Sequence, residues 1–148
     1  KYDSALLYGL EAGKYRLALK TPKDQIINVE YTRDKSKKKA AYKKSKAIHL
    51  KSDIDSIYTS TEKAARWYKV SVSSTKKRKA VTLSKDSVGG GFKFCVYQKG
   101  KRLKTVKVTK NDKVKTVKLP KKKGAYYVKV TKLTSKTTGT YYLGTYTY

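Results

Sequence analysis

A glycine followed two residues later by tyrosine, and two further on by an aliphatic side chain, occurs twice near the C-terminus. The copies are Gly124-Tyr126-Val128, continuing to Val130, and Gly139-Tyr141-Leu143. A spacing of two places these side chains on one face of a β-strand. The glycine lets the backbone turn sharply into that strand. The pattern also stands near the N-terminus, as Gly13-Tyr15-Leu17-Leu19. Rows of this kind need a second sheet to pack on, so the expected fold is all-β: an antiparallel β-sandwich with an N-terminal two-strand extension.

The chain between these corners supplies the other strands. A short strand is expected over 47–50, then a polar loop over 52–61 anchored by Ile54, Ile57 and Tyr58. Over 67–72, Tyr68, Val70 and Val72 alternate with Lys69 and Ser71. A basic turn over 75–79 leads to a strand over 80–83, with Val81 and Leu83 on one side. The glycine-rich 87–91 is read as a flexible turn. Residues 92–97 are the expected central strand, with Phe92, Phe94 and Val96 facing one way and Lys93, Cys95 and Tyr97 the other. Gln98-Lys99-Gly100-Lys101 is a hairpin turn with glycine at the position that needs it. Strands over 103–108 and 114–119 flank a turn over 110–113. Short strands with turns every 8–12 residues or so are the pattern of a sandwich.

The 148 residues make one domain, or one domain and a fragment. The main sandwich is placed at 47–148. Residues 1–33 hold two strands, around Tyr15-Leu17-Leu19 and Ile27-Val29-Tyr31, joined by a Thr21-Pro22-Lys23-Asp24 turn. Two placements stay open for them: a β-hairpin extension pairing onto the sandwich, or the tail of a preceding repeat. Residues 34–46 are a Lys-rich linker, too charged and too poor in apolar residues to pack. There is no methionine, not even at position 1, which reads as a trimmed piece of something longer.

Charge is the feature that speaks to function. There are 38 Lys+Arg against 10 Asp+Glu, a formal net charge of +28, and a field of that sign recruits polyanions and opposes self-association. No apolar run is long enough to cross a membrane. Catalytic and metal chemistry find little material. His49 is the single histidine and Cys95 the single cysteine, so neither an intramolecular disulfide nor a thiolate metal site can form. A Cys–His nucleophile would require those two to meet. Gly89-Gly90-Gly91 lacks the Lys-Ser/Thr ending of a phosphate loop. No cofactor and no catalytic residue are expected.

From 47 to 148 the order of features resembles the bacterial pre-peptidase C-terminal domain family. Trp67-Tyr68-Lys69-Val70 carries the aromatic strand. Phe92 to Tyr97 with Lys99-Gly100-Lys101 carries the hairpin, and Leu119 with the two glycine–tyrosine rows carries the end. The resemblance implies a compact jelly-roll-like sandwich on secreted or cell-surface bacterial proteins, non-catalytic and often accessory to a hydrolase. Some relatives bind calcium through acids ahead of the aromatic strand. Here that region holds Glu62 among cations, with Asp53 and Asp55 upstream, too few oxygens for the six to eight that calcium takes.

The basic residues cluster in loops: Lys37, Lys38 and Lys39; Lys76, Lys77, Arg78 and Lys79; Lys99, Lys101 and Arg102; Lys121, Lys122 and Lys123. Lys69, Lys93, Lys107 and Lys129 lie on strands, opposite the apolar face. The loop cations are the candidate polyanion contacts. The expected partner is an anionic cell-wall polymer or glycan, with nucleic acid or a purely structural repeat of a larger surface protein as the alternatives. The excess of Lys over Arg suits diffuse attraction better than bidentate phosphate reading. Exposed tyrosines (Tyr127, Tyr142, Tyr146, Tyr148) either stack on rings or cover sheet surface.

Overall fold

The glycine–tyrosine rows become the inner faces of two stacked sheets. A computed structural model describes residues 41–51, 57–60 and 65–148, the backbone alone at 57–60, 86–89 and 138–140, together with the isolated positions 14, 16, 18, 20, 28 and 29. Among the described residues nine strands follow one another: β1 (Ile48–Leu50), β2 (Ile57–Ser60), β3 (Arg66–Val72), β4 (Lys79–Gly89), β5 (Phe92–Gln98), β6 (Lys101–Val108), β7 (Val114–Lys118), β8 (Gly124–Lys132) and β9 (Thr138–Thr147). One sheet has the order β1-β3-β8-β5-β6 and the other β2-β9-β4-β7. Apart from the β5–β6 hairpin, consecutive strands switch sheets, as in a jelly-roll-like sandwich. The only helical element among the described residues is a 3-10 turn at Lys44–Lys46.

The core is the alternation made solid. Tyr68, Val70, Phe92, Phe94, Val96, Tyr126 and Val128 of one sheet face Val81, Leu83, Tyr141 and Leu143 of the other, all buried. Full burial of an aliphatic or aromatic side chain contributes roughly 1.5–3 kcal/mol, so this layer dominates stability. Phe92 packs edge-on against Tyr141, with ring centroids 4.9 Å apart.

Four expectations are corrected. Residues 57–60 are a strand and not loop: β2 pairs with β9, from Ile57 opposite Leu143 to Ser60 opposite Thr140. Four residues are too few to show a period, and the pairing meets the need of the β9 edge for backbone partners. Second, β4 continues through 87–89, with a register shift between Asp86 and Gly89. The sharp corner lies after it, where Gly90 has φ 74° and a Cβ on Gly91 would run into the Val108 carbonyl oxygen. Third, β8 and not β5 is the middle strand of the five-stranded sheet. Fourth, β1 pairs with β3 in parallel, the one departure from an antiparallel sandwich among the described strands, and nothing in three residues signals direction.

The hairpin between β5 and β6 turns on Lys99 (φ 47°) and Gly100 (φ 80°), the left-handed pair that suits strand twist. The two N-terminal strands and the run 34–40 lie outside the described residues, except that Arg16, Ala18, Lys20 and Val29 are exposed. Nearer the sandwich, Ala41 is buried and its carbonyl accepts the Trp67 N–H at 2.8 Å. The end of the charged run therefore rests on the edge of β3.

Candidate polyanion-binding site

Three of the four predicted cation clusters come together at one end of the sandwich. Val72 ends β3 opposite Gly124, which starts β8. Gln98, at the end of β5, is opposite both Tyr126 and Lys101. Lys79 starts β4 opposite Thr147, and Ala80 lies opposite Lys118 at the end of β7. The β3–β4, β5–β6 and β7–β8 connections thus emerge side by side. Lys76, Lys77 and Arg78 of the first, Lys99, Lys101 and Arg102 of the second, and Lys121, Lys122 and Lys123 of the third are all exposed. Lys79 is half-buried at the base. Lys37, Lys38 and Lys39 lie outside the described residues.

The backbone under these cations is pinned. Arg78 and Tyr148 exchange two main-chain hydrogen bonds, at 3.0 and 2.9 Å, and the Leu119 N–H donates to the Lys79 carbonyl at 2.8 Å. The hydroxyl of buried Tyr126 donates to the Lys122 carbonyl at 2.9 Å. Burial pushes this phenol above its usual pKa, against a smaller opposite effect of Gln98, so it stays a donor at any ordinary pH. The glycine–tyrosine corner therefore serves twice: its ring fills the core, and its hydroxyl fixes the loop bearing Lys121, Lys122 and Lys123.

Exposed lysines stand at the far end too, at Lys107, Lys110, Lys113, Lys115 and Lys136, so the ends differ in where the acids lie. Between 63 and 148 the only acids are Asp86 and Asp112, and both belong to the opposite end. Asp112 sits between β6 and β7 and accepts from the Thr109 N–H (2.9 Å) and hydroxyl (2.7 Å), with Lys115 Nζ at 2.7 Å. The Lys115 ammonium, then the Thr109 donors, hold its carboxyl well below the usual carboxylate range. At the cationic end nothing among the described side chains neutralises the field.

The outer face of the five-stranded sheet carries a second feature. Trp67 and Tyr97 meet with centroids 5.5 Å apart, tilted by 45°. Tyr127 lies in register between Lys69 and Tyr97, and Tyr97 lies opposite Arg102. Lys44 Nζ stands 4.7 Å from the Tyr127 ring centre, and Lys129 Nζ 5.5 Å from that of Trp67. Burial first, and the adjacent Cys95 next, push the Tyr97 hydroxyl up in pKa, while Arg102 works the other way. The sequence reading placed Tyr97 outside but did not bring it to Trp67. The signal was the parity of β3, whose core row at Tyr68, Val70 and Val72 forces Trp67 outward. What it lacked was the strand order.

The remaining candidates separate. His49 Nε2 lies 3.0 Å from the Ser71 hydroxyl, and buried Cys95 lies 3.4 Å from that of Thr105. Three strand spacings, about 14 Å, divide β1 from β5, so no Cys–His pair forms. Tyr146 and Tyr148 are 40% and 45% exposed, and their rings pair at 5.7 Å beside Lys118. Tyr127 and Tyr142 are half-buried. Asp53, Asp55 and Glu62 lie outside the described residues. Among the described residues no three His, Cys, Asp or Glu side chains gather as a metal site, and no helix is long and apolar enough to cross a membrane.

No family model and no curated protein match the chain. Among solved structures it is similar to the pre-peptidase C-terminal domain of a collagenase from Bacillus anthracis. The sequence identity is 19% and the TM-score 0.49, over 67% of this chain and 91% of that one. That is the kind of domain residues 47–148 resemble in sequence; the sandwich itself stands on the strand pairing above.

Proposed function

We propose that this protein is a non-catalytic, secreted or cell-surface bacterial β-sandwich module that associates with an anionic cell-wall polymer or glycan through the loops at one end. The observation that carries this reading is the convergence of three lysine-rich connections on one end, with both acids of 63–148 at the other. Solubility alone is served by cations anywhere on the surface. Here the loops are held by the Tyr126 hydroxyl and by the Arg78–Tyr148 pairing, so nine exposed cations are presented as a group. Seven of the nine are lysine, which favours diffuse attraction over bidentate phosphate reading. The secreted or surface setting follows the sequence resemblance.

Co-sedimentation with purified bacterial cell wall tests it. Retention at low salt, falling steeply as ionic strength rises, is the expected result. Absence of retention at low salt would end the reading. Tighter binding to duplex DNA than to a sulfated glycan, with a steeper slope of log affinity on log salt, would replace it with a nucleic-acid function.

A further inference from the structure

We infer that the outer face of the five-stranded sheet is a ring-stacking subsite, and that the polymer recognised is an acidic polysaccharide, sugar rings carrying carboxylate or sulfate, rather than a phosphate polymer. This rests on the polyanion reading and names its ligand class.

The rows on this face differ sharply. One consists of Thr131, Lys93 and Lys107, ordinary solvent-facing strand residues. The rows nearer the cationic end hold Trp67, Tyr127 and Tyr97. Three aromatic side chains on the solvent side of a sheet exceed what the pairing of β3, β8 and β5 needs, since Lys and Thr serve in the adjoining row. Their rings are half-buried, with an ammonium already over Tyr127 and over Trp67, and the part left open is apolar surface with a negative π face. The C–H face of a pyranose, whose hydrogens carry partial positive charge, is complementary to such a surface. A bare phosphate chain has no ring to lay there.

Cations stand at the height of the rings. Lys44 and Lys129 lie over Tyr127 and Trp67, while Lys69 and Arg102 flank Tyr127 and Tyr97 in register. A carboxylate or sulfate on a sugar lying across these rings is within reach of an ammonium or guanidinium. The face is also continuous with the cationic end: Arg102, opposite Tyr97, is one of the exposed hairpin cations, and Lys99 is two residues beyond Tyr97. A polysaccharide strand can run from the loops onto the rings without a gap in positive charge.

Trp67 is the only tryptophan in the chain, so its emission reports on this face without any substitution. The intact protein is titrated with polygalacturonate and with long-chain polyphosphate at matched charge and salt. Polygalacturonate is expected to shift Trp67 emission saturably, and polyphosphate to bind without that shift. Tyr127→Leu, checked for folding by circular dichroism, is expected to weaken polygalacturonate binding about tenfold and to leave polyphosphate binding unchanged. Equal emission changes with both polymers, or equal effects of Tyr127→Leu on both, overturn the inference while leaving polyanion association intact. A larger shift with single-stranded DNA than with polygalacturonate also overturns it. Binding to neither polymer at low salt removes the underlying function as well.

Discussion

The hydroxyls of Tyr68 and Tyr141 meet 2.7 Å apart in the buried interior, one from each sheet, with their rings edge to face at 6.5 Å. This contact joins the aromatic strand β3 to the second glycine–tyrosine row across the sandwich. Replacing either tyrosine by phenylalanine is expected to cost about 1 kcal/mol. The double variant is expected to cost less than the sum, because the two hydroxyls act on each other. Urea denaturation of the four proteins measures this; strict additivity would mean that the pair is not coupled.

Two glycines separate crowding from conformation. Gly91→Ala drives a methyl group against the Val108 carbonyl oxygen, a backbone atom that cannot swing aside, and should destabilise by about 1–3 kcal/mol. Gly100→Ala meets nothing within 4 Å but keeps a φ of 80°, so its cost is the left-handed strain alone, about 1–2 kcal/mol. Thermal melting of both variants tests the assignment, and a harmless Gly91→Ala would contradict the close approach of the chain at that corner.

Parity explains most of what was readable in the sequence. Strands β3, β5 and β8 each carry a core row at every second position, regular throughout β3 and broken in β5 where Cys95 is also buried, enough to fix both their existence and their inner faces. The β5–β6 hairpin was readable because Gly100 leaves few choices. Strand β2 was missed because four residues carry no period, and β4 was cut short because Gly89, Gly90 and Gly91 look like one turn although the first still pairs. Of the site, the cationic loops were visible as runs of lysine. Their meeting at one end, and that of Trp67 with Tyr97, depend on strand order, which local pattern does not encode.

The acid side of stability should involve Asp112. Its carboxyl is held low by Lys115 and Thr109, so its folded value lies below the unfolded one of about 3.9. The stabilisation is therefore present above that pH and is lost as pH falls further, toward the folded value. Asp112→Asn is expected to melt lower than the parent at pH 7 and to lose less on acidification below about pH 4. Melting curves across that range check this. Parallel pH profiles for the two proteins would show that the Thr109–Asp112–Lys115 contacts do not form in solution.

The loops bearing Lys121, Lys122 and Lys123 should depend on the Tyr126 hydroxyl. Tyr126→Phe removes the bond to the Lys122 carbonyl and is expected to cost about 1 kcal/mol. Amide hydrogen exchange should quicken in 119–123 before anywhere else. Uniform quickening across β8 would instead place the hydroxyl's role in the core.

The central claim is that one end of the sandwich, and not its surface at large, meets the polyanion. Mapping amide chemical shifts by nuclear magnetic resonance during titration with an acidic polysaccharide tests it most directly. The account predicts that the largest changes fall in 73–79, 98–102 and 119–124, spreading onto Trp67, Tyr97 and Tyr127. Changes of equal size at both ends, or centred on 109–115 beside Asp112, would contradict it.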